Sequence, residues 1–142
     1  MRDLHNNIDA VRIVGPVAIG ANATVSGKVI DRAGFAGVEF IASYGAITTT
    51  GTVVTPVVKE GDATGSMTSV ADGSLLGTEA LAARLGGATT SGTGANVSKR
   101  VGYVGTKRYV TCDMVKSGTT SVGCMSVEAI LHTPADAPVA NP

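Results

Sequence analysis

Two alternating runs, joined by a polar segment at 117–121, constrain the fold more than any other part of the chain. Apolar residues fall at every other position in each run: Val110, Cys112 and Met114 in the first, and Met125, Val127, Ala129 and Leu131 in the second. Successive side chains of a strand leave opposite faces, so a period of two indicates half-buried β-strands. Because the connecting segment is short and polar, the pattern predicts a β-hairpin.

The composition favours strands throughout the chain. Val, Ala, Thr and Gly are abundant, with 19 Gly in 142 residues, whereas there is no Trp and there are only two Phe. The hydrophobic fraction of 44% is sufficient for a core in a chain of this length. We therefore predict an all-β protein, a single antiparallel β-sandwich or barrel of about six or seven strands.

Four more segments are predicted as strands. Both Phe residues fall in one of them, which places that strand at the centre of the core. Another contains Pro56, which cannot donate to a ladder and therefore indicates an edge or a bulge. The four segments are Thr24–Asp31, Phe35–Tyr44, Val53–Glu60 and Val97–Val104.

One short helix is predicted near 74–85, where Leu75, Ala82 and Leu85 are spaced to share a face. Gly77 weakens this pattern, so two short turns are favoured over one long helix. The segment that follows, Gly86–Asn96, is rich in Gly and Thr and is predicted to be a long, mobile loop.

The chain is predicted to divide into three parts. Residues 1–22 form an extended N-terminal arm, 23–132 the β domain, and 133–142 an extended, poorly ordered tail rich in Pro and Ala. The arm either docks on a neighbouring subunit or covers the edge of its own sheet. Its apolar residues are candidate contact residues: Val11, Ile13, Val14, Val17 and Ile19.

Eleven basic residues balance eleven acidic ones, so the chain as a whole does not favour binding to nucleic acid or a membrane. Five basic residues but only one acid, Asp113, lie between Lys99 and Lys116. This local excess of four is typical of edge strands that resist edge-to-edge pairing, or it forms a patch for an acidic partner. Four of these residues are candidate contact residues: Lys99, Arg100, Lys107 and Arg108.

No residue pattern indicates catalysis or a cofactor. His5 and His132 lie near opposite ends of the chain without the spacing of a metal motif, and no GxSxG segment is present. Asp113 and Glu128 are expected together on the outward face of the hairpin, as two solvated acids. We expect no catalytic, cofactor-binding or metal-binding residues and therefore no enzyme.

The two cysteines, Cys112 and Cys124, lie one on each strand of the predicted hairpin. A disulfide is geometrically possible there. Two free thiols that act as small buried hydrophobes are favoured, and they suit synthesis in a cytoplasm. No apolar run is long enough for a membrane span, and the N-terminus does not have the pattern of a signal peptide.

Several segments, taken in order, are similar to a group of small proteins encoded among the head genes of tailed bacteriophages and prophages. They are MRDLHNNID, SGKVIDRAGFAGVEFIASYG, SLLGTEA and VGYVGTKRYV, followed by a final strand and an Ala/Pro-rich tail. The resemblance implies a location on the virion. The role that it best suggests is that of a capsid decoration (cement) protein, which binds the outside of the shell and reinforces it.

That role implies two partners, the major capsid protein and further copies of this chain, as a trimer or dimer. It also implies synthesis in the host cytoplasm and a final place on the capsid surface. Two alternatives remain open: a head–tail connector or tail-tube component, and a virion-borne module that binds a host surface or carbohydrate. The predicted loops lack aromatic residues for stacking on sugar rings, which argues against the last alternative.

Overall fold

The computed structural model describes residues 3–47, 49–85, 96–118 and 123–140. These residues form eleven strands, one α-helical turn, α1 (Glu79–Ala82), and 3-10 turns at His5–Asn7 and Asp72–Ser74. The strands are β1 (Ile8–Ile19), β2 (Ala23–Val25), β3 (Ile30–Asp31), β4 (Phe35–Tyr44), β5 (Val53–Ala63), β6 (Ser66–Ser69), β7 (Leu75–Leu76), β8 (Arg84–Leu85), β9 (Val97–Tyr103), β10 (Tyr109–Ser117) and β11 (Gly123–Pro134).

The strands make two antiparallel sheets. The five-stranded sheet has the order β1-β11-β4-β9-β7. The second sheet has the order β2-β10-β5-β6, with β3 also paired to β10 and β8 also paired to β5. The predicted all-β sandwich, with one short helix near 74–85, is therefore confirmed.

The core lies between the two sheets and is lined by every second residue of the long strands. On β4 the buried residues are Val38, Phe40, Ala42 and Tyr44, and Phe40 is only 1% exposed. On β10 the residues Val110, Cys112 and Met114 are fully buried. The period of two therefore identified the core-facing residues of both strands, although Thr111 and Asp113 on the opposite face of β10 are buried as well.

The predicted hairpin is wrong, because its two strands belong to different sheets. β10 lies between β2 and β5, whereas β11 lies between β1 and β4. A period of two shows that a strand is half-buried, but it does not identify the strand's hydrogen-bonding partner. Residues 119–121 of the predicted turn lie outside the described residues.

The N-terminal segment is not a separate arm. β1 pairs with β11 along its length, from Ile8 opposite His132 to Ile19 opposite Gly123. Register shifts occur between Arg12 and Val14 and again between Val14 and Val17. These irregularities interrupt the alternation that a regular strand shows, and the sequence therefore carried little sign of this strand. Of the two alternatives for the arm, 8–19 covers the edge of its own sheet.

The segment predicted as a single strand, Thr24–Asp31, is broken into β2 and β3. Between them the chain crosses toward β1, where the N–H of Lys28 donates to the carbonyl of Ile13 over 3.0 Å. A Cβ atom at Gly27 would lie 2.2 Å from the carbonyl oxygen of Cys112. The crossing therefore requires glycine at position 27.

On the side of β5 that faces away from β10, no strand among the described residues pairs with Pro56. Both the N–H and the carbonyl of Val58 bond away from β10, to Glu79 and to the N–H of Val70. By alternation, an N–H at position 56 would also point away from β10, into the interval between β6 and β8. Pro56 therefore costs the sheet no hydrogen bond, as its prediction at an edge or bulge implied.

The predicted loop at Gly86–Asn96 and the predicted C-terminal tail remain to be compared with the structure. Most of the Gly86–Asn96 loop lies outside the described residues. The C-terminal tail begins later than predicted, because β11 continues to Pro134. Its residue Val139 then donates its N–H to the carbonyl of Asn6 over 2.9 Å, so the tail returns to the start of the chain.

Candidate interaction surface

The apolar residues of β1 that were candidates for contact with another subunit differ in how deeply they are buried. Ile13 and Val14 are only 5% and 4% exposed and lie in the core. They are therefore wrong as contact residues, because the domain itself covers them. Val11 and Val17 are half-buried and pack against the same core, and Ile19 ends the strand.

The basic residues contact groups of the same chain. Lys99 donates to the carbonyls of Leu81 and Ala83, over 3.2 and 2.6 Å. The other three pair with carboxylates that are 45 to 77 residues away in sequence: Arg100 with Glu39 (3.6 Å), Lys107 with Asp62 (2.5 Å) and Arg108 with Asp31 (2.6 Å). Three of the five positive charges between Lys99 and Lys116 are therefore offset in space, which weakens the argument for an acidic partner.

Asp113 and Glu128 do not form the pair of acids expected on one face. They stand on different sheets, and only Glu128 is exposed. Asp113 is buried, its Oδ2 lies 2.7 Å from Nζ of Lys59, and its Oδ1 accepts the N–H of Gly27 over 2.9 Å. Asp113 therefore stabilises the crossing between β2 and β3.

Both cysteines are free thiols, but their environments differ. Cys112 is buried, and burial raises the pKa of its thiol, so it stays protonated and unreactive at neutral pH. Cys124 is exposed, which corrects the expectation that both would be buried. Within the described ranges, no three His, Cys, Asp or Glu side chains are grouped in a way that could hold a metal ion.

Sequence reasoning missed the polar cluster around Arg32. The Arg32 guanidinium donates to the carbonyls of Lys107 and Gly105 over 2.6 Å, and to those of Phe35 and Ala36 over 3.1 Å. It thereby joins the turn before β4 to the loop after β9. The only sign of this cluster in the sequence is that Arg32 lies in a turn that contains glycine. That sign does not show that the guanidinium would bond to carbonyls more than 70 residues away.

The solvent side of the five-stranded sheet is unusual for a sandwich. Because Phe40 and Ala42 face the core, Ile41 between them faces outward, and by the same alternation Ile130 faces outward from β11. Outward positions of antiparallel sheets are normally polar. The name outer face is used here for the surface formed by Ile8, Ala10, Arg12, Glu39, Ile41, Leu76, Arg100, Glu128 and Ile130.

The outer face has an apolar centre and charged sides. Ile41 lies opposite Glu128 and Ile130 lies opposite Glu39, so the two isoleucines are diagonal neighbours on adjacent strands. Ala10 lies opposite Ile130 on the other side. Arg12 lies opposite Glu128, and Arg100 pairs with Glu39, so the charges balance.

Two glycines lie beneath neighbouring side chains on this side of the sheet. A Cβ atom at Gly102 would lie 2.6 Å from Glu39 Oε2 and 3.0 Å from Leu76 Cβ. A Cβ atom at Gly37 would lie 2.5 Å from the His132 ring. The missing side chains allow these neighbours to lie close over the sheet. Leu76 nevertheless remains 57% exposed.

A shallow groove lies at one end of the same side of the sheet, with a volume of about 300 Å³. Serines from three neighbouring strands line it: Ser126, Ser43 and Ser98 form one row, and the Oγ atoms of Ser43 and Ser98 are 3.1 Å apart. The exposed Cys124 lies beside them. The groove is therefore lined by these serines together with apolar groups of Pro16, Val97 and Met125, and no charged side chain of the described residues lines it.

No helix among the residues that the structure describes is long and apolar enough to cross a membrane. No protein-family model matches the sequence, and no curated protein matches it. Among solved structures, the chain is similar to one from Bacillus endospore appendages, which are described as forming "a novel family of disulfide-linked pili". The similarity covers 90% of this chain and 89% of that chain, with a TM-score of 0.42 and 12% sequence identity.

Proposed function

We propose that this protein is a structural component of a virion, a capsid decoration protein that binds the outside of a tailed-phage head and stabilises the shell. Its partners are the major capsid protein and further copies of the same chain. The resemblance of the sequence to small phage head proteins supports this role. The structural observation that carries it is the outer face, with its apolar centre on the five-stranded sheet.

Burial of the outer face would favour association. Complete burial of one Ile or Leu side chain contributes about 1.5–3 kcal/mol. Ile41 and Ile130 are already half-buried, so each contributes less, whereas Leu76 is 57% exposed. The ion pairs at the sides contribute little because they stay near solvent. The isoleucines and Leu76 therefore provide most of the available affinity.

The size and rigidity of the outer face suit a broad protein surface. The four long strands of this sheet, β1, β11, β4 and β9, lie at about 4.8 Å spacing and are about nine residues in length, which gives a solvent side of roughly 600 Å² that includes the outer face. A standard protein interface buries about 800 Å² per partner. The sheet backbone is already hydrogen-bonded, so binding through this face requires little ordering of the chain. The balanced charges also predict binding that changes little with salt concentration.

The copy number of the protein in purified virions tests the proposed role. Quantitative mass spectrometry would compare it with that of the major capsid protein. We expect comparable numbers. A number more than about tenfold lower would instead support a head–tail connector or tail-tube component, because such parts are present in few copies. Absence from the virion would overturn the proposal.

Binding to isolated shells tests the outer face itself. We expect Ile41→Lys and Ile130→Lys each to reduce co-sedimentation with shells that lack this protein by at least about tenfold. Val57→Lys is the matched control, because Val57 is a half-buried, outward-facing residue of the other sheet. Unchanged binding by both Ile variants, with folding preserved, would show that shell binding uses another surface.

A further inference from the structure

We propose that the free edge of β1 pairs with the β1 edge of a second copy of this chain. The two edges would run antiparallel around a two-fold axis and join two five-stranded sheets into one continuous sheet. This inference deepens the self-association included in the proposed function, and it names the surface and the partner.

The hydrogen-bonding direction of β11 identifies which groups of β1 are free. The N–H of Gly45, which follows β4, donates to the carbonyl of Cys124 over 2.8 Å. Cys124 therefore directs its backbone groups toward β4. Because backbone groups alternate along a strand, the even-numbered residues of β11 face β4 and the odd-numbered residues face β1.

The register of β1 with β11 then fixes the free groups. Asp9 lies opposite Leu131 and Val11 lies opposite Ala129, so Asp9 and Val11 bond toward β11. The residues between and beside them, which are Ile8, Ala10 and Arg12, direct their N–H and C=O groups away from the sheet. In the described part of the chain, no residue hydrogen-bonds these outward backbone groups.

The open edge has a defined length. Before it, the carbonyl of Asn6 accepts the N–H of Val139, and after it the carbonyl of Ile13 accepts the N–H of Lys28. Bulges and proline protect edge strands from pairing. In β1 the register shifts and Pro16 all come after Arg12. The five residues from Ile8 to Arg12 therefore form a regular edge without these protections.

A second copy of β1 fits this edge in one preferred register. A two-fold axis at Ala10 places Ala10 opposite Ala10, and Ile8 of each copy opposite Arg12 of the other. All three outward-facing residues then form hydrogen-bonded pairs, with two bonds per pair. An axis at Asp9 or Val11 leaves one of the three residues outside any pair. The Ala10 side chain is also small enough to meet its own copy at the axis.

The pairing joins the two outer faces as well as the two edges. Ala10 lies beside Ile130 on the outer face. In the dimer, Ile130 and Ala10 of one copy continue into Ala10 and Ile130 of the other, so the apolar centre becomes one strip across the axis. This continuity favours a second copy as the occupant, because an unrelated strand would have to supply matching apolar residues.

Disulfide trapping tests the register. Ala10→Cys would be made in the full chain with Cys124→Ser, and Ala18→Cys in the same background is the control. Ala18 is also exposed and on β1, but it lies beyond the bulges. Hydrogen-bonded antiparallel pairs have Cα atoms about 5.5 Å apart, which a disulfide can span. We expect mild oxidation to give a covalent dimer with Ala10→Cys and at least about tenfold less with Ala18→Cys.

A proline substitution tests the edge without cysteine chemistry. No described residue accepts the N–H of Ala10 in the monomer, so Ala10→Pro should keep the fold and block dimer formation. Val11→Pro is the contrasting variant, because it removes an N–H that bonds to β11, and it should lower the melting temperature. Sedimentation velocity would compare the wild-type chain with Ala10→Pro. We expect the wild-type chain to be a dimer and the Ala10→Pro variant to be a monomer.

Two outcomes would overturn the inference. One is a wild-type chain that stays monomeric at about tens of micromolar, and the other is an Ala10→Pro variant that dimerises as well as the wild type. Both measurements use the purified chain without shells, so they are independent of the virion role. A dimer of a protein that is absent from virions would contradict the decoration role alone.

Discussion

The hydroxyl of Tyr103 on β9 donates a hydrogen bond to the carboxylate of Glu60 on β5, and this bond links the two sheets through the core. The same hydroxyl accepts the N–H of Lys107 over 3.0 Å. The Arg32 guanidinium lies 5.4 Å from the centre of the Tyr103 ring. Tyr103 is completely buried, so its polar atom depends on these partners for hydrogen bonding.

We expect Tyr103→Phe to lower the free energy of unfolding by about 1–3 kcal/mol, because it leaves Glu60 and the N–H of Lys107 without their partner. Urea unfolding would measure the change. Tyr109→Phe is the control, since Tyr109 is only half-buried and its ring contacts Arg108. Equal losses in the two variants would show that the link between the sheets contributes nothing specific.

We expect the protein to lose stability in alkaline solution. Burial, followed by the hydrogen bond to Glu60, raises the pKa of Tyr103 to about 12, and burial also raises the pKa of Tyr44. The ordinary pKa of a tyrosine is near 10. A raised pKa in the folded state means that folding favours the neutral phenol. The contribution of the phenols to the free energy of unfolding is therefore fully present below about pH 10 and is lost as the pH rises toward 12.

Unfolding free energies measured across this range, with phenolate absorbance, would check the alkaline prediction. Tyr103→Phe should show a smaller loss between pH 10 and about 12 than the wild type. A wild-type chain whose stability does not change over this range would contradict the burial of both phenols.

We expect two neighbouring residues of β4 to respond very differently to the same substitution. Phe40 is 1% exposed in the core, so Phe40→Ala should cost about 3–5 kcal/mol. Ile41 is half-buried on the outer face, so Ile41→Ala should cost less than about 1 kcal/mol. Chemical denaturation of both variants would measure these costs. A similar cost for both variants would mean that the assignment of core-facing and outward-facing residues on β4 is wrong.

We expect deletion of residues 1–20 to prevent folding, because it removes β1 together with Ile13 and Val14 from the core and leaves β11 without one neighbour. Circular dichroism and thermal unfolding would measure the loss. Deletion of residues 1–4 is the control, since Leu4 is exposed. A folded domain after the longer deletion would restore the separate-arm interpretation of this segment.

The sequence predicted features that depend on neighbouring positions of the chain. The bounds of β4 and the inward faces of β4 and β10 were predicted correctly, because alternation is a local property of each strand. The bulges of β1 could not be predicted in this way. They bring the consecutive residues Ile13 and Val14 into the core, which interrupts the alternation.

Features that join distant positions were predicted poorly. β10 and β11 are neighbours in sequence and were assigned to one hairpin, although they lie in different sheets. Similarly, Arg108 looked like part of an unbalanced positive patch, although Asp31 neutralises it from 77 residues away. The outer face was present in the sequence as the outward isoleucines Ile41 and Ile130. It became recognisable only when the register placed them side by side.

The position of β11 has a consequence for the synthesis of this protein. Of the described strands, β11 leaves the ribosome after the others, yet it lies between β1 and β4. The five-stranded sheet therefore cannot close until residues 123–134 have been synthesised. Such non-local pairing slows folding and leaves strand edges exposed in the meantime.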